Sequence, residues 1–231
     1  MENYSTIYVL NQQLKINKEL FLKLLNFVSS KRRDILTNMK FEKAQQSILG
    51  ELLIRYILFK KFELNNTKIV FSKSKYGKTL LNSLTDFHSN ISHSKDWIVC
   101  AVDNPPIGVG IEVLRDFNLK IGKRFYTNQE YNYIINASEL DQKYRFYEIW
   151  TMKESYMKAV GKGFLLSPTS FDTLDFNNEV QIEDCKYYFS KFTFNNEVLC
   201  TVCSTKKQVE IEYINDEVLI STILNILEKE G

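Results

Sequence analysis

Apolar positions recur along the chain with two different periods, and together they predict a mixture of helices and strands. A spacing of three or four residues predicts amphipathic helices over residues 41–62 and 144–160, with shorter helices over 20–28 and 217–229. Short runs rich in β-branched and aromatic residues predict strands. These runs lie at residues 7–10, 69–72, 97–102, 107–114, 187–194, 198–204 and 209–214.

The segment Asp103-Asn104-Pro105-Pro106 divides this pattern into two similar halves. Proline cannot donate to a strand ladder and restricts the residue before it, so the segment predicts a break between elements. Helices and strands alternate on both sides of the break. The predicted fold class is therefore α+β, with an N-terminal subdomain at 1–104 and a C-terminal subdomain at 105–231.

The charge balance argues against several classes of partner. The chain of 231 residues carries 30 basic and 28 acidic side chains, which gives a formal net charge of +2. So small a charge provides no strong field to hold nucleic acid or a membrane surface. No run approaches the roughly 18 apolar residues that mark a membrane span, and no secretion signal is visible after Met1. A cytoplasmic protein without nucleic-acid or membrane partners is expected.

Four cysteines occur, at Cys100, Cys185, Cys200 and Cys203. The spacing Cys200-x-x-Cys203 is compatible with redox or metal chemistry, but no second pair accompanies it. Because both thiols lie in a predicted strand, buried free cysteines are the preferred interpretation. Free cysteines agree with a reducing compartment.

Two glutamates on predicted rigid elements are the strongest candidates for chemistry. Strand alternation places Glu112 on the same face as Gly110, and helical spacing places Glu154 and Lys158 on the stripe that contains Trp150. Two carboxylates near a lysine suit a divalent cation and a phosphate-bearing substrate. A solvated Glu–Lys pair on the helix surface is the alternative that the residue types leave open.

Two stretches of sequence carry a resemblance to a known family. They are GVGIE at residues 108–112 and WTMKESYMK at residues 150–158. They resemble the signatures G-(I/V)-D-(I/V)-E and W-x-x-K-E-(S/A)-x-x-K of 4′-phosphopantetheinyl transferases of the surfactin-synthetase-activating (Sfp) type. YGK at 76–78, NISHS at 90–94 and GKG at 161–163 follow in the family's order. The similarity runs from about Phe27 to the last predicted helix.

The resemblance implies a fold and a reaction. The fold has two related α+β subdomains with pseudo-twofold symmetry, and the active site lies between them. The reaction transfers 4′-phosphopantetheine from coenzyme A to a serine of an acyl or peptidyl carrier protein, with Mg²⁺, or Mn²⁺, bound by carboxylates. In this chain Glu154 would be a metal ligand and the general base, Glu112 a second metal ligand, and Lys158 a catalytic cation on the phosphates.

The resemblance also implies contacts to coenzyme A. Lys31 matches a lysine at the 3′-phosphate, whereas Lys78, Ser92 and His93 match residues at the diphosphate. Lys158 would contact the same phosphates. Three further positions differ from the basic residues of the family, and they are Asp34, Gln45 and Gln46.

Gly110 departs from the family, which has an aspartate at this position. The change removes one carboxylate from the implied metal site, so weaker Mg²⁺ binding is expected, with water in the vacated place. An aspartate restored at 110 is expected to join the face of Glu112, leave the apolar face of the strand undisturbed and raise the transfer rate.

The segment after Gly163 is a candidate surface for the carrier protein. Phe164, Leu165 and Leu166 would anchor a carrier helix, or they belong to the ordinary core. Two other function classes stay open. One is a non-catalytic binder of coenzyme A or a carrier protein, and the other is a metal-dependent nuclease, which the charge balance disfavours. A monomer is expected because the two halves are fused in one chain.

Overall fold

Ten strands and seven α-helices are found in the part of the chain that the computed structural model describes, which is residues 3–84, 86–162, 165–182 and 184–230. The strands are β1 (Tyr4–Asn11), β2 (Phe71–Lys73), β3 (Thr79–Leu81), β4 (His88–Ser94), β5 (Trp97–Asp103), β6 (Gly108–Val113), β7 (Glu179–Ile182), β8 (Cys185–Phe194), β9 (Val198–Ser204) and β10 (Gln208–Ile214). The helices are α1 (Lys18–Leu24), α2 (Ser30–Thr37), α3 (Phe41–Phe62), α4 (Leu119–Phe125), α5 (Asn128–Ile135), α6 (Glu139–Val160) and α7 (Asp216–Glu230). The α+β prediction is confirmed.

Two four-stranded sheets form the centre of the molecule. The first has the strand order β10-β1-β5-β4, and within it β10 runs parallel to β1 while the other pairs are antiparallel. The second has the order β6-β9-β8-β7 and is antiparallel throughout. The short strands β2 and β3 form a separate hairpin. The edge strands β4 and β6 therefore come from different sheets.

The two sheets are packed between layers of helices. In β1, Ile7 and Val9 pack with the second sheet, whereas Tyr8 and Leu10 pack with α3 and α7. A strand buried on both faces reads as a continuous apolar run, as β1, β5 and β9 do. The other face of the second sheet is covered by α6. The 22-residue helices α3 and α6 thus lie on opposite sides of the sheet pair.

The last strand and helix pack with the first half of the chain. β10 pairs with β1 from Tyr4–Gln208 to Leu10–Ile214, and α7 lies against α3. The division into 1–104 and 105–231 stays a prediction. Any structural division has to place β10 and α7 with the first sheet.

The sequence pattern located the long elements better than the short ones. The bounds predicted for α3 and β9 agree with the structure, and α6 ends at Gly161 as expected. However, α6 begins at Glu139, five residues before the predicted start. Its first turn is capped by Ser138 and has no apolar face toward the core, since Leu140 is 90% exposed. The short helices α2, α4 and α5 were not predicted.

The cysteines are free thiols, as predicted. Cys100, Cys200 and Cys203 are buried, and Cys185 is exposed. Burial raises the pKa of Cys200 and Cys203, so both stay protonated near neutral pH. None of the helices in the described residues has the length and apolar character needed to cross a bilayer.

Candidate active site

The edge strands β4 and β6 are joined by side chains instead of by a main-chain ladder. Three side chains of β4 accept hydrogen bonds from main-chain N–H groups of β6. The pairs are Asn90 with Val109 at 3.0 Å, Ser92 with Ile111 at 3.3 Å, and Ser94 with Val113 at 3.1 Å. We call Asn90, Ser92 and Ser94 the polar ladder. It satisfies N–H groups that the edge of the second sheet would otherwise leave unpaired.

The helix α6 lies directly against β6 because two residues of the strand have no side chain. A Cβ on Gly108 would lie 2.0 Å from the carbonyl oxygen of Ser155, and one on Gly110 would lie 2.6 Å from that of Thr151. Both distances are too short for any other residue type without a movement of the helix. The close approach brings Glu154 beside β6, with Oε2 only 2.9 Å from the Cβ position of Gly110.

This packing bears on the expectation for Gly110, which stays a prediction. An aspartate there was expected to be accommodated on the face of Glu112. Its Cβ would instead overlap the backbone of α6, so the side chain has no room unless the helix moves outward. Sequence comparison with the family signature identified the missing carboxylate but gave no sign of the close helix.

Glu154 is held by contacts from β4 and from its own helix. Its Oε1 lies 2.8 Å from Nζ of Lys158, and the Ser92 hydroxyl donates to both carboxylate oxygens at 3.3 Å. Lys158 Nζ also donates to the carbonyl oxygens of Ile91 and Val109, each at 3.0 Å. These contacts engage all three ammonium protons. Lys158 therefore links α6 to both edge strands.

Glu112 is the second carboxylate of the site and is held in a similar way. The Ser94 hydroxyl donates to its Oε2 at 2.7 Å, the side chain of Trp150 also hydrogen-bonds to it, and Arg115 lies 3.9 Å away. Burial raises the pKa of Glu112 and the nearby charge of Glu154 raises it further, while these hydrogen bonds and Arg115 oppose the shift. The mutual repulsion of two carboxylates is relieved when a cation binds between them.

The donor set suits one type of metal ion in particular. Among the described residues, no group of three or more His, Cys, Asp and Glu side chains is arranged as metal ligands. Mg²⁺ is commonly held by one or two carboxylates, with water and substrate phosphates in the other positions. Glu112 and Glu154 fit such an ion, and Gly110 offers it no side chain.

A cavity of about 270 Å³ opens beside these residues, between the β2–β3 hairpin, β4 and the C-terminal end of α6. It is lined by Ile54, Tyr76, Gly77, Lys78, Thr79, Ser89, Asn90, Ile91, Met157, Lys158 and Gly161. Lys78 Nζ lies 3.3 Å from the carbonyl oxygen of Lys158, and burial lowers the pKa of Lys78. Two lysines on one cavity beside two carboxylates are suited to binding a phosphate-bearing ligand.

Comparison with known proteins agrees with this chemistry. The family model described as the 4′-phosphopantetheinyl transferase superfamily matches residues 106–203, and that of the N-terminal region of 4′-phosphopantetheinyl transferase matches residues 15–104. The transferase gsp of Aneurinibacillus migulanus is 37% identical over 68% of this chain and 68% of its own length. The transferase Sfp of Bacillus subtilis (strain 168) is 35% identical over 77% and 80%, respectively. The chain belongs to the 4′-phosphopantetheinyl transferase superfamily.

The resemblance read from the sequence is thereby confirmed, and so is the assignment of the chain as a transferase. A human relative, L-aminoadipate-semialdehyde dehydrogenase-phosphopantetheinyl transferase, is 32% identical over 59% of this chain and 50% of its own length. Family membership gives no support to the nuclease hypothesis.

The transferase does not place every predicted ligand in one group. Glu112, Glu154, Lys158 and Ser92 lie together, and Lys78 lies next to them across the cavity. The hydroxyl of Ser92 contacts Glu154 and β6, and neither Ser92 nor the two glutamates are among the residues that line the cavity.

Lys31 and His93 lie outside the cavity lining. Lys31 is exposed in the first turn of α2. His93 is also exposed, but it stays within electrostatic reach of the site. Loss of hydration and the charge of Lys158 lower the pKa of His93, and Glu154 raises it.

The transferase also contains a buried ion pair that the sequence did not reveal. Lys153 and Glu130 lie 2.8 Å apart, and both side chains are fully buried. Lys153 Nζ donates to the carbonyl oxygens of Pro168 and Phe171 at 2.6 and 2.9 Å, and Glu130 accepts from Thr173. The pair fastens the segment that follows α6 to α5 and α6. In the sequence, Lys153 precedes Glu154 and lies outside the helical stripe of Trp150, Glu154 and Lys158.

The predicted carrier surface is only partly described by the structure. Gly163 and Phe164 lie outside the described residues. Leu165 is 77% exposed, and Leu166 is half-buried. Leu165 therefore offers an apolar side chain at the surface, close along the chain to the segment held by Lys153.

Proposed function

We propose that this transferase moves 4′-phosphopantetheine from coenzyme A to a serine hydroxyl of an acyl or peptidyl carrier protein. The observation that carries the proposal is the cavity lined by Lys78 and Lys158, because Lys158 is paired with Glu154 and Glu154 lies within electrostatic reach of Glu112. The serine oxygen attacks the phosphorus attached to pantetheine, and a new O–P bond forms. The bond from that phosphorus to the bridging oxygen breaks, and 3′,5′-adenosine diphosphate leaves.

Glu154 is the proposed general base. Its carboxylate accepts the serine proton, directly or through one water, as the O–P bond forms. Lys158 and Ser92 fix the position of the carboxylate through contacts to its oxygens. A fixed base reduces the reorganisation that the transition state would otherwise require.

Lys78 and Lys158 are the proposed phosphate contacts. Both lysines line the cavity. Lys78 donates to the carbonyl oxygen of Lys158, and Lys158 donates to those of Ile91 and Val109. A diphosphate oxygen would replace one of those carbonyl partners. The charge that develops on the leaving phosphate then meets two cations in a partly water-excluded site. Lys31 and His93 are proposed to contact the outer parts of coenzyme A.

Glu112 and Glu154 are the proposed ligands of Mg²⁺, with Mn²⁺ as a substitute. When bound, the ion neutralises diphosphate charge and polarises the phosphorus under attack. Because Gly110 has no side chain, the protein would supply two carboxylate ligands, those of Glu112 and Glu154. We further propose a cytoplasmic monomer without nucleic-acid or membrane partners, with Leu165 in the carrier interface.

Intact mass of a carrier protein tests the proposal directly. After incubation with coenzyme A and Mg²⁺, the carrier should gain the mass of one phosphopantetheine group, and 3′,5′-adenosine diphosphate should appear in equal amount. A second candidate function is a non-catalytic binder of coenzyme A or a carrier protein, which the missing side chain at Gly110 favours. Binding measured by calorimetry without any mass gain, under Mg²⁺ or Mn²⁺, would establish that candidate instead.

Removal of Lys78 is expected to weaken the binding of coenzyme A through the loss of a contact to its diphosphate. Lys78→Ala should cost roughly 1.5–3 kcal/mol of binding free energy, because a hydrogen bond to a charged group is lost. Calorimetry should give the same loss for dephospho-coenzyme A. Lys31→Ala should lower the affinity for coenzyme A, which has the 3′-phosphate, and leave the affinity for dephospho-coenzyme A unchanged.

The matched control for Lys78 is Lys75→Ala, which removes an exposed lysine of the same hairpin turn that does not line the cavity. It should bind both ligands like the parent. Equal losses for Lys75→Ala and Lys78→Ala would show a general charge effect and remove Lys78 from the site.

Substitution of Gly110 is expected to cost stability whatever side chain is added. Gly110→Ala should lower the free energy of unfolding by about 1–3 kcal/mol, because its Cβ overpacks the contact with Thr151. Without metal, Gly110→Asp should lower the free energy of unfolding more than Gly110→Ala does, since the added negative charge repels those of Glu112 and Glu154. Urea unfolding measures both.

Magnesium separates the two Gly110 variants. Added Mg²⁺ should recover part of the stability of Gly110→Asp and none of that of Gly110→Ala. A Gly110→Asp protein as stable as the parent, with tighter Mg²⁺ binding, would show that α6 moves outward at little cost and that the original expectation holds.

A further inference from the structure

The polar ladder contacts both carboxylates of the site in addition to joining the two sheets. Each of its two serines accepts a hydrogen bond from a main-chain N–H of β6 and donates to a glutamate. Ser92 accepts the N–H of Ile111 and donates to Glu154, and Ser94 accepts the N–H of Val113 and donates to Glu112. We propose that Ser92 and Ser94 are positioning residues, which set the orientation of the two glutamates from the edge of the first sheet.

The valence of a hydroxyl group supports this assignment. A serine hydroxyl has one proton to donate and two lone pairs that accept. Because the serine oxygen accepts a hydrogen bond from a main-chain N–H of β6, the hydroxyl proton has to point to a different group, which must be an acceptor. For Ser92 the acceptors are both oxygens of Glu154 at 3.3 Å, and for Ser94 the acceptor is Oε2 of Glu112 at 2.7 Å.

Burial keeps water from replacing these bonds. Ser92 is 4% exposed and Ser94 is 7% exposed, and both lie on a strand that β5 pairs along its whole length. The two hydroxyls are therefore fixed more firmly than the glutamates, which are partly exposed.

Asn90 provides a matched comparison within the same ladder. Its Oδ1 accepts the N–H of Val109 at 3.0 Å, so it links β4 to β6 just as the serines do. Among the hydrogen bonds of the described residues, none joins its side chain to either glutamate. Loss of Asn90 removes a link between the strands without a carboxylate contact.

Carbon-13 labelling of glutamate carboxyl groups tests the proposal in the resting protein, with no need for turnover. Glu154→Gln and Glu112→Gln assign the two signals. Ser92→Ala should shift the Glu154 signal and leave that of Glu112 in place, and Ser94→Ala should do the reverse. Asn90→Ala should shift neither. Equal shifts from all three variants would show that the ladder acts only on the spacing of the strands, and the proposal would fail.

Kinetics supply the second measurement, which rests on the proposed transfer to a carrier protein. Ser92→Ala should lower kcat about 10- to 100-fold, the effect of losing one hydrogen bond to a charged group, with KM for coenzyme A within about twofold. Ser92→Thr keeps the hydroxyl and should recover most of kcat. A rise in KM with unchanged kcat would make Ser92 a ligand contact instead. If the parent chain transfers nothing, the proposed function fails, and the carboxyl signals still decide the role of the serines.

Discussion

Glu154→Gln should abolish most of the transfer activity while leaving the fold intact. The amide keeps the size of the side chain but cannot take a proton from the carrier serine. A general base typically contributes about 10²–10⁴-fold, so kcat should fall by that factor. The rate of mass gain by the carrier protein measures it. Glu148→Gln is the control, because Glu148 lies on the same helix but makes a surface ion pair with Lys191 at 3.1 Å.

The same variant separates the two roles assigned to Glu154. In the parent, Mg²⁺ or Mn²⁺ should strengthen coenzyme A binding relative to a chelator, and Glu154→Gln should remove this coupling. Equal affinities with metal and with chelator in the parent would contradict the metal role. A Glu154→Gln protein that modifies its carrier at more than a tenth of the parent rate would contradict the base role.

Lys153→Met should cause the largest loss of stability among single substitutions of α6. It leaves the carboxylate of Glu130 buried without its cation, and breaking a buried ion pair in this way costs about 3–5 kcal/mol. The carbonyl oxygens of Pro168 and Phe171 lose a donor at the same time. Urea unfolding gives the free energy. We also expect transfer to a carrier to fall, because the segment after α6 is released from the helix that carries Glu154.

Two comparisons test the source of this loss. Lys191→Met breaks the exposed pair with Glu148 and should cost about 0–1 kcal/mol. Lys153→Met combined with Glu130→Gln should be more stable than Lys153→Met alone, since no uncompensated charge remains. A double variant as unstable as the sum of the two single variants would show that the residues do not act as a pair.

The sequence predicted the parts of the fold that have a local signal. The helices α3 and α6 have apolar stripes several turns long, and β9 is a continuous apolar run bounded by polar residues. The pairing of β10 with β1 has no local signal, because it depends on packing between opposite ends of the chain. Short helices such as α4 and α5 depend on caps at Asn118 and Thr127 more than on periodicity.

The candidate site also combines features that the sequence indicates with features that depend on packing. The residue types left a solvated Glu154–Lys158 pair open, and the resemblance to the family implied that Glu112, Glu154 and Lys158 form one group, as they do in the structure. The polar ladder was not predicted, since the motif at residues 90–94 was interpreted only through its resemblance to the family, with Ser92 as a diphosphate contact. Gly110 was interpreted as a missing ligand because a sequence cannot show that a helix backbone fills the space where a Cβ would be.

The position of β1 in the first sheet has a consequence for synthesis of the chain. β1 is synthesised before its parallel partner β10, and all strands of the second sheet lie between the two along the chain. Chains are made from the amino end, so the main-chain edge of β1 that pairs with β10 has no partner until β10 has been synthesised. Pairings between distant segments also form slowly. Until then, the N–H and C=O groups along that edge are unpaired and can pair with a strand of another chain.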